Sequence, residues 1–263
     1  MLCEISTLLD VPCATDINLT GVCIDSRQVK AGNLFVAIQG ERFDGHEFIH
    51  DAIAKGAAAI VCNQAKPSVK IPQLVVPDTL QALATIATKH REKNASAVIA
   101  LTGSNGKTTV KEMIASILPQ PSHSTPGNLN NHIGVPLSLL KLEEAHRYAV
   151  FELGANHPGE IAHTVAMVRP QVTLINNIAP AHIEGFGSIE GVAHAKGEIH
   201  QGLTEGGAAV INDDDAFANF WEPLLKNKKT LHFSVEKPAD IHARNVIFNS
   251  DGCGQFILVT PQG

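Results

Sequence analysis

Long apolar runs, basic clusters and paired cysteines are all missing from this chain of 263 residues. The longest apolar stretches, such as AVIAL at 97–101, fall far short of the ~20 residues a membrane-spanning helix needs, so membrane insertion is not expected. The opening MLCEISTLLD carries an acid at Glu4 and no basic segment, unlike a secretory signal. Lys and Arg number 20 against 26 Asp and Glu, and the net charge of −6 argues against nucleic acid as a partner. The five cysteines (Cys3, Cys13, Cys23, Cys62, Cys253) are odd in number and contain no C-x-x-C pair. Neither a disulfide framework nor a zinc site is expected, and a reducing cytoplasm suits the chain.

What is present is the composition of a folded soluble protein, 44% hydrophobic and 17% charged, long enough for one large domain or two ordinary ones. Residues 1–78 read as a small α/β domain, with extended apolar runs at 22–24, 34–38, 58–61 and 74–76 and a helix near 46–55 ended by Gly56. Asp78 and Thr79 signal a helix start. Leu80, Leu83, Ile86 and Ala87 then recur at helical spacing up to Lys93, a segment that closes the first domain or bridges to the next. The second domain, 79–263, has its own strands from Ser96 onward. Strands at 97–101, 148–153, 172–176 and 208–211 alternate with helices at 107–118, 159–168 and 189–203, which predicts an α/β fold built on a doubly wound, mostly parallel sheet. The runs 241–248 and 255–260 flank a turn-rich Asn249-Ser250-Asp251-Gly252 and read as an antiparallel hairpin.

The sharpest local signal is Thr102-Gly103-Ser104-Asn105-Gly106-Lys107-Thr108-Thr109, set between a predicted strand and a predicted helix. Glycines there let backbone N–H groups close around phosphate oxygens, and the helix start adds a favourable partial charge. Lys107 would meet the β- and γ-phosphates, and the Thr108 hydroxyl would face Mg²⁺. The common spacing G-x-x-x-x-G-K-[ST] would put a glycine at 101, where Leu101 stands, so this is a more compact phosphate loop.

That loop and the segments after it resemble the Mur ligases of bacterial peptidoglycan synthesis. The resemblance rests on GSNGKTTVKEM (103–113), TPGNLNNHIGVPLSLL (125–140), ELGANHPGEI (152–161), NNIAPAHIEGFGS (176–188) and AKGEI (195–199), with DSR (25–27) and LFVAIQGERFDGH (34–46) earlier. It implies three domains, the chain ending inside the second, and ATP-driven amide formation through an acyl phosphate. ELGANHPGEI and AHIEGFGS imply addition of D-alanyl-D-alanine to UDP-N-acetylmuramoyl-tripeptide by a bacterial cytoplasmic monomer. Two Mg²⁺ ions are implied, with Thr108, Glu152 and His182 as ligands, and Lys196 carbamylated by CO₂ so that it too can hold metal. Lys107, His182 and Lys196 would carry the catalysis. The phosphate loop with Asn131 and Asn212 would take ATP.

Asn130, Asn156 and His157 are expected at the substrate, the last two alternatively forming a turn that starts the next helix. Ser26, Arg27, Asp44 and His46 resemble the UDP-binding surface, although Gly45-His46 also reads as a helix start. The pattern departs at His132, where the family often carries an acid, and the acids after Asn212 also read as a solvated loop. Another amide ligase of the family and a nucleotide-dependent switch remain as rival functions.

Overall fold

The computed structural model describes Leu9 and residues 17–40, 43–94 and 96–263. The opening segment with Glu4, Cys3 and Cys13 lies outside them. Contacts divide the chain into two units, one holding residues up to 95 together with Pro136–Glu144, the other Ser96–Val135 and Ala145–Gly263.

The first unit is a four-stranded parallel sheet in the order β1 (Gly21–Cys23), β2 (Asn33–Val36), β3 (Ala59–Cys62), β4 (Gln73–Val75). Strands β2 and β3 are buried along their whole length, as parallel strands covered on both faces must be. Helix α1 (Ile49–Ala54) follows a 3₁₀ turn at Gly45–Phe48, and its Ile49 and Ala52 pack with Phe35, Ile60 and Val69. Gly56 sits at φ +96°, a left-handed conformation at the expected stop of this helix.

Helix α2 (Thr79–Lys93) starts where Asp78 accepts hydrogen bonds from the N–H groups of Leu80 (2.8 Å) and Gln81 (3.0 Å). It groups with the first unit, so the division by contacts falls at 95/96, whereas the domain cut expected from sequence is 78/79. His90 Nε2 lies 2.8 Å from Leu142 O and Asn94 Nδ2 donates to Glu143 O, which ties the 136–144 segment to the same unit.

The second unit is an eight-stranded sheet. It runs β12 (Gly254–Val259), β11 (Ile241–Phe248), β10 (Lys229–Ser234), β9 (Ala208–Asn212), β8 (Val172–Ile175), β5 (Ala97–Thr102), β7 (Tyr148–Glu152), β6 (Ser122–Ser124). Every pair is parallel except β11–β12, the expected hairpin at one edge. Helices α3 (Lys107–Ile117) and α5 (Glu160–Val168) lie close to their expected spans, and α7 (Ile189–Gly197) starts where expected.

The helix expected over 189–203 is α-helical only to Gly197 and tightens into a 3₁₀ turn over Glu198–Gly202. Gly197 lies flush against Trp221, where a Cβ would come within 2.6 Å of the indole. The sequence reading also passes over β6, β10 and the short helices α4 (Gly134–Leu139), α6 (Ile183–Phe186) and α8 (Glu222–Leu225). Serine-rich β6 has no apolar periodicity to announce it, whereas β10 alternates through Leu231 and Phe233, a short signal that the reading misses.

Strand β5 is flanked by β7 on one side and β8 on the other, so connections leave it in opposite directions. In open α/β sheets such a switch point is where ligands bind, outside the C-terminal strand ends. The register brings those ends level, pairing Leu101 with Glu152 and Thr102 with Ile175.

Candidate active site

The Gly103–Thr109 loop leaves β5 at that switch point. Gly103 (φ +155°) and Gly106 (φ +72°) need their missing side chains, since a Cβ on Gly103 would come within 3.0 Å of Asn176 Cβ and one on Gly106 within 3.1 Å of Asn176 Nδ2. Gly106 is the N-cap of α3, and no side chain caps this helix start among the described residues. Its first N–H groups therefore face outward, as an anion site requires.

Two asparagines from the loop after β8 brace the turn. Asn177 accepts from the N–H of Ser104 through its carbonyl (2.9 Å) and from Asn105 N–H through Oδ1 (3.0 Å). The Asn176 and Asn177 amides both donate to Asn105 O, at 2.7 and 3.1 Å. Ser104 Oγ donates to Ala179 O and accepts from Ala179 N–H. Lys107 Nζ donates to Gly103 O (2.9 Å) and Ser104 O (3.2 Å), folded along the loop it would share with a phosphate. Burial holds its ammonium below the ordinary lysine range, with Glu152 pulling the other way.

Glu152 ends β7 almost fully buried, at 1% exposure. Its Oε2 accepts from Thr108 Oγ1 (2.9 Å), its Oε1 from Asn130 Nδ2 (2.7 Å), and its N–H donates to Thr125 Oγ1 (3.0 Å). A buried carboxylate beside a threonine hydroxyl, with the Asn130 amide donating to its other oxygen, puts hard oxygen donors next to a phosphate cradle, which is chemistry that fits Mg²⁺. Among the described residues, no three His, Cys, Asp or Glu side chains cluster as a metal cage. Thr108 and Glu152 would thus hold a metal together with phosphate and water.

Lys196 on α7 is 1% exposed, and its ammonium makes no hydrogen bond or ion pair with any described residue. Burial, and then the charge of Lys107, push it down to about 8.

A family profile described as the Mur ligase middle domain matches residues 101–262, and another, described as the Mur ligase family catalytic domain, matches 18–91. The chain belongs to the Mur ligase family. The UDP-N-acetylmuramoyl-tripeptide–D-alanyl-D-alanine ligase of Haemophilus influenzae is 46% identical to this Mur ligase over 254 residues, and that of Escherichia coli 47% over 251. Each alignment takes in 94% of this chain and 55% of the relative, so the chain spans about half the length of the curated relatives it matches. Among solved structures, MurF from Acinetobacter baumannii superposes with a TM-score of 0.90 at 38% identity, covering 98% of this chain and 58% of the other. MurF from Thermotoga maritima, crystallised in complex with ADP, gives 0.80 at 30% identity, covering 91% and 56%.

The remaining expected residues of this Mur ligase fall into distinct groups. Asn131 Oδ1 accepts from the N–H groups of Ile133 and Gly134, starting α4. Both ends of the Asn212 amide are engaged, Nδ2 with Asn176 O (2.9 Å) and Oδ1 with Asp214 N–H (3.1 Å), so Asn212 braces the asparagine loop. The acids after it are not merely solvated. Asp213 lies 2.7 Å from His232 Nδ1, Asp214 takes Ser234 Oγ and Val235 N–H, and Asp215 takes Ile178 N–H (2.7 Å) and Phe217 N–H (2.8 Å). Their spacing hides this because the partners are distant in sequence, Asp213 and Asp214 reaching β10 and its end and Asp215 the loop after β8.

His182 is exposed in a left-handed conformation (φ 55°) at the start of α6, with no hydrogen bond to Glu152, Thr108 or Lys196. Asn156 N–H and the His157 ring both engage Glu160, so the turn that starts α5 forms and leaves the Asn156 amide and the exposed His157 at the surface.

In the first unit, Arg27 is 85% exposed and bound in a fork to Asp25 (2.9 and 2.8 Å), whose carboxyl it holds far below the usual range. Ser26 is buried beside it. His46 is committed internally. Its Nε2 accepts from Asn63 N–H (3.1 Å), which leaves Nδ1 to carry the proton toward Asp44 Oδ1 at 2.6 Å. Sequence reasoning passed over Lys111, Thr125, Asn177 and Asp215. Three of these lie inside or beside the quoted motif blocks.

Proposed function

We propose that this Mur ligase chain carries the nucleotide site and the UDP-substrate surface of a UDP-N-acetylmuramoyl-tripeptide–D-alanyl-D-alanine ligase acting in the bacterial cytoplasm as a monomer. The observation that carries the reading is the buried Glu152 carboxylate, held by Thr108 and Asn130 beside the glycine cradle at the sheet's switch point. The two relatives above 45% identity bear that ligase's name, and the Thermotoga relative binds ADP.

The reaction brings two anions together, so charge neutralisation and alignment dominate it. A carboxylate oxygen of the tripeptide attacks the γ-phosphorus, the bond to the bridging oxygen breaks, and ADP leaves. The dipeptide amine then attacks the acyl carbon, phosphate departs, and the amine's proton is released. The cradle's N–H groups and the Lys107 ammonium bind and orient the phosphates. Thr108 and Glu152 would hold Mg²⁺, which supplies charge neutralisation on the phosphate oxygens. Asn131 and Asn212 are assigned to the nucleotide side, Asn212 acting through Asn176. Asn130, Asn156 and His157 are assigned to the substrate peptide, and Ser26, Arg27 and the Asp44–His46 turn to the UDP end.

A second Mg²⁺ is assigned to His182 and a carbamylated Lys196. A lysine that must lose its proton to attack CO₂ is helped by burial without a counter-charge, and the resulting carbamate anion would be drawn to Lys107. Intact-mass and crystallographic analysis with bicarbonate and Mg²⁺ checks this, and a plain amine in both rejects it.

Phosphate release from ATP tests the ligase reading, using this chain beside the longest reading frame that contains it. Release that waits for both UDP-N-acetylmuramoyl-tripeptide and D-alanyl-D-alanine supports the ligase. Steady release with neither substrate favours a nucleotide switch and rejects it.

A further inference from the structure

Helix α3 buries one residue, and that residue is charged: Lys111 is wholly out of solvent. Its Nζ donates to Thr125 O (2.9 Å) and Gly127 O (3.4 Å) and lies 2.8 Å from the carboxylate of the exposed Glu112. Burying an ammonium is costly, and a methionine would fill the same space without that cost. The phosphate cradle itself does not call for a lysine one turn beyond Lys107.

What Lys111 grips explains its presence. Thr125, itself buried, receives Lys111 on its carbonyl and the Glu152 N–H on its hydroxyl, and its own N–H donates to Val150 O (3.0 Å). Thr108, three residues before Lys111 on the same helix, donates to the Glu152 carboxylate. One helix thus holds Glu152 twice, at the side chain through Thr108 and at the backbone through Lys111 and Thr125.

We propose that Lys111 is a positioning residue of the metal–nucleotide site, setting through Thr125 where the Glu152 carboxylate stands relative to Thr108. The inference rests on the reading above that Thr108 and Glu152 hold Mg²⁺ with ATP.

Calorimetric titration of this chain with ATP, once with saturating Mg²⁺ and once with EDTA, yields the factor by which Mg²⁺ tightens binding. Lys111→Met and Thr125→Val are expected to cut that factor about tenfold, the scale on which partners behind a metal ligand act, while changing Mg²⁺-free affinity less than about twofold. Lys111→Arg and Thr125→Ser should restore most of it. A lysine with only a structural role would lower the melting temperature and weaken both affinities alike. A Lys111→Met protein with native circular dichroism and an unchanged factor overturns the proposal. If that variant precipitates, Thr125→Val decides by the same criterion. An unsubstituted chain with no Mg²⁺ effect at all overturns the nucleotide-site reading, and this inference with it. A clear effect that survives both substitutions overturns this inference alone.

Discussion

Lys196 brings a positive charge into a place where no described residue partners it, and residues of that kind cost stability. Its folded-state value near 8 lies below the ordinary lysine value of 10.5, so the folded protein binds that proton more weakly than the unfolded chain. The penalty is fully present below pH 8 and fades as pH rises toward the unfolded value. Lys196→Met should therefore stabilise the protein at pH 7 in CO₂-free buffer, by roughly 2–3 kcal/mol at most. The gap should narrow in bicarbonate, where a carbamate would face Lys107. Thermal melts in the two buffers check this, and an equal or lower midpoint for the variant in CO₂-free buffer would reject it. Lys107 has the opposite character, since its ammonium is already placed along the loop. Lys107→Met should weaken ATP binding at least about tenfold with little change in melting temperature, as expected for a charge-assisted phosphate contact.

At the scale of elements, much was readable because each signal was local. Asp78 capping, the stop at Gly56 and the spacing of Leu80, Leu83 and Ile86 each act within one or two turns; α1 ends just before Gly56, and α2 spans the residues that the other two mark. The phosphate loop was readable for the same reason. Its braces were not, since Asn177, Thr125 and Asp215 act across strands that only the sheet register brings level. His200 belongs with these hidden residues. It sits buried in the 3₁₀ turn after α7, Nδ1 against Thr173 Oγ1 (2.9 Å), with Nε2 lacking any partner among the described residues. Burial, and then the charge of Lys228, push it down to about 4. The folded state thus resists protonation that the unfolded chain accepts near 6.5, and stability should fall as pH drops from about 6.5 to 4, by roughly 2–3 kcal/mol from this group. His200→Leu should flatten that limb. Urea midpoints at pH 7 and pH 4.5 measure it, and an equally steep loss in the variant would assign the acid sensitivity elsewhere.

For the whole molecule, composition announced a folded chain and the alternation of strands and helices an α/β fold, but both concealed an uneven surface. The same apolar residues that predicted the closing hairpin stand largely in solvent, Phe248 at 70% exposure and Ile257 at 56%. Between β10, β11 and β12 they line an apolar cavity of about 280 Å³ that includes Val246, Phe248, Phe256 and Leu258. Among the described residues strand β12 pairs only with β11, which leaves its outer backbone edge beside consecutive apolar side chains. Open, apolar edges are templates for pairing with another chain unless charge or cover blunts them. Here Phe256-Ile257-Leu258-Val259 carries no charge. Taken by itself, this 263-residue chain is therefore expected to self-associate as its concentration rises, unlike the monomeric ligase proposed above, with sedimentation equilibrium giving an average mass above 28.0 kDa. Ile257 is not among the cavity-lining residues, so Ile257→Lys adds charge on the exposed face without disturbing the cavity. That variant should return the mass toward the monomer at equal concentration while leaving ATP affinity unchanged, because the nucleotide loop follows β5, five strands away in the sheet order. A chain that stays monomeric at every concentration before substitution would show that this edge is not adhesive.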